Sequence, residues 1–122
     1  MKANEIMTGD YLRIAQTGKI IKIVAVDEPS GSVDYFDGDA GGALTISVEK
    51  IEPIPLTAEI LEKNGFVVEP EYCYDNPLQY CEIIDGLWIS ISGEKYFEGK
   101  LEYVHELQHA LRLCGIDKEI VL

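Results

Sequence analysis

Positive charge is scarce in this chain: ten lysine and arginine residues stand against 22 aspartate and glutamate residues, a net charge of −12. That balance repels a phosphate backbone, which argues against nucleic acid as a partner and in favour of a basic protein surface or plain solubility. Long apolar runs are missing too. No window approaches the roughly eighteen apolar residues that a membrane-spanning helix requires, so a membrane partner is excluded. In the opening MKANEIMTGDYLRIA, residues Asn4, Glu5, Thr8, Gly9 and Asp10 interrupt the apolar stretch that a secretory signal needs, and a cytoplasmic protein is expected. Cysteine is rare and its number odd. Cys73, Cys81 and Cys114 form no C-x-x-C pair, so reduced thiols are expected rather than a disulfide framework, with Cys73 and Cys81 the one pair on strands that could neighbour each other. There is no G-x-x-x-x-G-K-[ST] loop for phosphate, and only two histidines are present, His105 and His109.

What is there has ordinary globular composition: 47% apolar and 26% charged residues exclude wholesale disorder in a chain of 122 residues. That length has room for one domain or two small lobes. The first half reads as short strands with tight turns. Gly9-Asp10 and Thr17-Gly18 flank a strand around Tyr11, Leu12 and Ile14. In KIIKIVAVD, Ile21, Ile23 and Ala25 point one way while Ile20, Lys22, Val24 and Val26 point the other, the pattern of a central strand. The turn EPSGS and the strands SVDYF and ALTISVEKIEPI complete four or five strands in about fifty residues, which suits a small SH3-like barrel over residues 1–54. A short helix follows, with Thr57 as N-cap, Leu56 and Leu61 placed for a hydrophobic staple, and Asn64-Gly65 as a left-handed exit. Residues 66–97 return to strands. Asp85-Gly86 between CEII and LWISI is a type I′ hairpin signal, and an antiparallel meander is expected. Gly99 is read as breaking the strand run. LEYVHELQHALRLCG then forms an amphipathic helix with Leu101, Val104, Leu107, Leu111 and Cys114 on its apolar stripe and Gly115 past its end, and IDKEIVL is a candidate edge strand. The expected class is α+β: an SH3-like strand unit at 1–54, then a short helix and a meander packed by the C-terminal helix at 55–122, either as two units or as one continuous domain.

HELQH, residues 105–109, matches the zinc-protease signature H-E-x-x-H. Two histidines four apart on a helix lie one above the other, and Glu106 stands where the general base of such enzymes stands. The surroundings fit less well. A catalytic zinc needs a third protein ligand and an open position. No third histidine exists, and the extended pattern meets Arg112 and Gly115 where it needs glycine and histidine. A third ligand would have to be Asp117 or Glu119, just past the helix, or an upstream acid such as Glu94 or Glu98. An amphipathic helix accounts for the same letters. With Val104, Leu107 and Leu111 buried, Glu102, His105, Glu106, His109 and Arg112 fall on its exposed side.

Three phrases carry a resemblance: MKANEIMTGDYLRI, KIEPIPLTAEILEKNGF and GKLEYVHELQHALRLCGIDKEIVL, together about half of the chain. They resemble a group of small proteins common in Bacteroidetes genomes and their prophage-like regions. The group typically places glutamine where Glu106 stands and asparagine where His109 stands. The resemblance therefore implies a helix without metal chemistry, and makes Tyr103, His105 and Gln108 candidates for a shared structural or binding role.

Other sites are weaker. In DGDAGG, Asp37 and Asp39 have calcium-like spacing, but positions six and twelve of an EF-hand loop fall on Gly42 and Val48, so the closing glutamate is missing. The aromatics Tyr72, Tyr74 and Tyr80 suit a protein interface. The sequence therefore favours a non-enzymatic accessory or interaction protein with an acidic surface, monomeric or weakly dimeric, with no catalytic residue, metal or cofactor. Its binding candidates are Tyr72, Tyr74, Tyr103, His105 and Gln108. The alternative is a zinc-dependent metallohydrolase in which His105 and His109 bind the metal and Glu106 is the catalytic base.

Overall fold

The computed structural model describes residues 1–36, 42–68 and 76–122. The acidic loop residues Asp37, Asp39 and Gly41, and the aromatic and thiol candidates Tyr72, Tyr74 and Cys73, lie outside the described residues. The chain forms two compact units, Met1–Ile54 and Pro55–Leu122.

The first unit is a five-stranded antiparallel sheet built from β1 (Tyr11–Ile14), β2 (Ile20–Asp27), β3 (Ser32–Phe36), β4 (Ala43–Ser47) and β5 (Ile51–Pro53), in the order β4-β3-β2-β1-β5. The sheet is open. Strands β4 and β5 are its two edges, so the SH3-like barrel expected from the strand count does not form: short strands and tight turns are necessary for a barrel, but closure also requires the edges to pair. Alternation along β2 holds for Ile21 and Ile23 and then fails. A register shift between Ile23 and Ala25 inserts Val24 as a bulge, after which Ala25 is exposed and Val26 packs against the core. The core joins Leu12, Ile21, Ile23, Val33, Tyr35, Val48 and Ile51 with Ile6 from the N-terminal segment. The Gly9-Asp10 turn is tied to it. Gly9 has a φ of 93° and donates to the Ile23 carbonyl at 2.7 Å, while the fully buried Asp10 carboxylate accepts from the Met7 N–H at 2.8 Å.

The second unit begins with α1 (Ala58–Lys63), capped as its sequence signals predict: the Thr57 hydroxyl accepts from the Ile60 N–H at 3.2 Å. Asn64 and Gly65 end it in a Schellman motif, with Phe66 N–H bonded to the Leu61 carbonyl and Gly65 N–H to that of Glu62. A helix this short has no stability of its own in water, and Leu61, fully buried, anchors it. Next come β6 (Val67–Val68), β7 (Leu78–Ile83), β8 (Gly86–Ser92) and β9 (Tyr96–Leu101), forming a sheet in that order. Strands β7 to β9 are the antiparallel meander, but β6 runs parallel to β7, with Val67 opposite Gln79. The β7–β8 turn also shifts by one residue: Ile83 pairs with Gly86, so Ile84 and Asp85 form the loop. Among the described residues, none other than glycine has a positive φ, which excludes the type I′ geometry expected for Asp85-Gly86. Gly99 does not interrupt β9. It pairs with Ile89, and the strand runs on to Leu101.

Helix α2 therefore starts later than expected, at Val104, and spans Val104–Leu113. Val104, Leu107, Ala110 and Leu111 are buried, as are Cys114 beyond its end and the sheet residues Tyr80, Leu87, Ile89, Ile91 and Leu101. Gly115, at φ 76°, completes a second Schellman motif through Gly115 N–H to Arg112 O and Ile116 N–H to Leu111 O. The β8–β9 turn adds another cap, since Glu94 N–H donates to the Cys114 carbonyl at 2.7 Å. Gly93 permits this approach, for a Cβ there would stand 2.2 Å from that carbonyl oxygen. The tail IDKEIVL is not a strand. The Asn64 side chain holds it instead, accepting from Val121 N–H at 2.7 Å and donating to Val121 O at 2.8 Å.

Candidate functional site

The HELQH segment occupies the first turns of α2, and each of its polar residues has a local structural position. Glu106 is the third residue of the helix. One of its carboxylate oxygens accepts from the backbone N–H of Tyr103 at 2.9 Å and from that of Glu102 at 3.0 Å. These donors precede the helix, so the carboxylate forms the returning half of a capping box, and a negative charge there also suits the positive end of the helix dipole. His105 departs from the sequence reading, which put it on the exposed side: only 6% of it is accessible. Its ring stacks on Tyr103, with centroids 5.9 Å apart and planes inclined by 16°, and meets the half-buried His109 edge-on at 5.6 Å. Gln108 is buried as well. The buried arc of α2 is thus broader than its apolar letters, because Tyr103 and His105 extend it over the first turn. Tyr103 and His105 are brought together here, with Gln108 buried on the same helix, whereas Tyr72 and Tyr74 lie outside the described residues.

The two histidines are close enough to be considered as a ligand pair, and the question is what completes the set. Among the described residues, no group of three His, Cys, Asp or Glu side chains converges on one position. Of the acids named from sequence, Glu98 is engaged by Trp88 and Tyr96 on β8 and β9, and Glu94 lies against Gly115, where an added Cβ would meet its carboxylate oxygen at 2.8 Å. Cys114 is a free thiol. Cys114 is fully buried, its Sγ is 3.9 Å from the Ile91 carbonyl, and burial pushes its thiol pKa up, the opposite of nucleophile activation. Tyr80 is buried on β7. Its hydroxyl donates to the Glu62 carboxylate at 2.7 Å, and that bond, with burial and the Glu62 charge, raises its pKa to about 12.

A different cluster escaped sequence reasoning. On the side of the second sheet opposite Ile89 and Ile91, register places Gln79, Ser90 and Glu98 in one cross-strand row and Cys81, Trp88 and Lys100 in the next. Glu98 is the centre of this face. One of its oxygens accepts from the Trp88 indole N–H at 3.0 Å, the other from the Tyr96 hydroxyl at 2.6 Å. Led by the Tyr96 bond, these two donors hold the Glu98 carboxyl below the usual carboxylate range, so it is ionised at neutral pH. Beside it is a shallow depression of about 200 Å³ lined by Asn76, Gln79, Ser90, Ser92, Tyr96 and Glu98, with Pro77 at its rim. Lys100 is engaged one row away, donating to Asp85 at 3.0 Å and lying 3.5 Å from Glu102. The one available sequence signal was the alternation of LWISIS, which puts Trp88, Ser90 and Ser92 on the same side.

No family model, curated protein or solved structure matches the chain. Among the described residues, no helix is long and apolar enough to cross a membrane.

Proposed function

We propose that this chain is a non-enzymatic accessory protein of the cytoplasm that binds a protein partner through its acidic surface. The position of Glu106 carries the reading. A zinc hydrolase needs that carboxylate turned toward a metal-bound water, where it takes a proton. Here one carboxylate oxygen accepts from two backbone N–H groups ahead of α2, and the neighbouring His105 is packed against Tyr103. Both features give the HELQH letters a role in starting and seating the helix. The net charge of −12 favours a basic partner.

Zinc content tests the reading. Untagged protein dialysed against equimolar zinc and then against metal-free buffer should retain less than about 0.1 zinc per chain by plasma mass spectrometry. Retention near one equivalent, lost in the His109→Asn variant, would overturn it and favour the metallohydrolase alternative.

A further inference from the structure

We propose that the depression beside Glu98, Trp88 and Tyr96 is a docking site for an arginine side chain carried on a basic, extended segment of a partner protein. The inference rests on the reading of this chain as a binding protein and names the chemistry of what it binds.

Glu98 supplies the charge. A carboxylate offers about four lone-pair positions. Trp88 and Tyr96 occupy one on each oxygen, which fixes the plane of the group and leaves acceptor capacity on both oxygens. Two parallel acceptors match the fork of a guanidinium, which donates two N–H bonds side by side, better than they match the point charge of an ammonium. Aromatic faces supply the second element. Tyr96, 62% exposed, borders the depression, and Trp88 stands on the other side of Glu98, so a planar cation seated on the carboxylate has a ring beside it to stack on. The lining supplies the third, with the polar side chains of Asn76, Gln79, Ser90 and Ser92 around the cation and the peptide backbone that carries it. At about 200 Å³ the depression suits one long side chain rather than a folded domain. Among the described residues, Glu98 is its only charged lining residue, and the acidity of the whole chain raises the local concentration of a basic partner.

Trp88 is the only tryptophan, so its indole N–H gives one proton resonance that reports directly on the hydrogen bond to Glu98. The experiment titrates the full chain, labelled with nitrogen-15, with a blocked Gly-Ser peptide carrying two arginines. The comparison ligands are the same peptide with two lysines and a neutral disaccharide, which the amide and hydroxyl rim would also accept. The arginine peptide should move the indole resonance saturably, with affinity at least about tenfold higher than the lysine peptide. Glu98→Gln should abolish the response with amide dispersion unchanged, and Tyr96→Ala should weaken it while leaving the carboxylate in place. Equal responses to arginine and lysine, an equal response to the disaccharide, an unaltered response in Glu98→Gln, or no movement of the indole resonance would each overturn the assignment. These outcomes are independent of zinc content, so failure here is distinguishable from failure of the underlying reading.

Discussion

In the first unit, the side of the sheet away from the core carries polar groups that answer one another across strands: Arg13 pairs with Glu52, and the Thr45 hydroxyl donates to Asp34 at 2.6 Å. In the second unit the corresponding side converges two aromatic donors on Glu98 beside a polar depression. Opposite charges facing each other on neighbouring strands satisfy themselves and contribute a few tenths of a kcal/mol to about 1 kcal/mol each. A carboxylate held by two neutral donors keeps its full charge and part of its acceptor capacity. The first arrangement stabilises a solvated sheet, and the second prepares a surface for a cationic group.

The comparison breaks most forcefully at the cores, where the two units should behave alike. Leu12 in the first and Leu107 in the second are both fully buried. Leu12→Ala and Leu107→Ala should each cost about 2–5 kcal/mol in urea unfolding; a loss under 1 kcal/mol at either position would mean that its core is not packed as described. Gly93→Ala should come next, at about 1–3 kcal/mol, because the new Cβ meets the backbone carbonyl of Cys114 rather than a side chain that can swing aside. Asn64→Ala removes three hydrogen bonds, two of them to Val121. It should cost about 1–3 kcal/mol and speed amide exchange at Val121, while unchanged exchange there would show that something else holds the tail.

The remaining two predictions concern single carboxylates. Glu106→Ala should destabilise by about 0.5–2 kcal/mol and Glu106→Gln by less, since an amide oxygen can still accept from the Tyr103 and Glu102 N–H groups; equal losses would count against the cap. The Glu62 carboxylate raises the Tyr80 pKa from 10.0 to about 12, so folding favours the protonated phenol. That contribution is complete below pH 10 and is lost as the pH climbs from there toward 12. Absorbance titration of wild type and Glu62→Gln should differ by one tyrosine, which ionises at lower pH in the variant. Identical titration curves for the two proteins would contradict the bond.

What could be read from the sequence was whatever short-range chemistry determines. Thr57 and Asn64-Gly65 mark α1 because capping is settled within a few residues, and Gly115 marks the end of α2 for the same reason. Closure of the first sheet, the parallel pairing of β6 with β7 and the passage of β9 through Gly99 depend on partners distant in sequence. The site on the second sheet was hidden for that reason too: Glu98 meets Trp88 only through the β8–β9 register, in which Ser90 lies opposite Glu98. His105 was misplaced although Val104, Leu107 and Leu111 are buried as the stripe predicts. The apolar letters alone assigned it to solvent, but the first turn of α2 also packs His105 on Tyr103, a contact that no apolar periodicity announces.

The central claim is that His105, Glu106 and His109 start and seat a helix rather than hold a metal, and the imidazole resonances test it most directly. With one equivalent of zinc added to untagged protein, the His105 ring signals should stay where they are in the metal-free spectrum. Both rings moving together in slow exchange at one equivalent, with the effect gone in His109→Asn, would contradict the account.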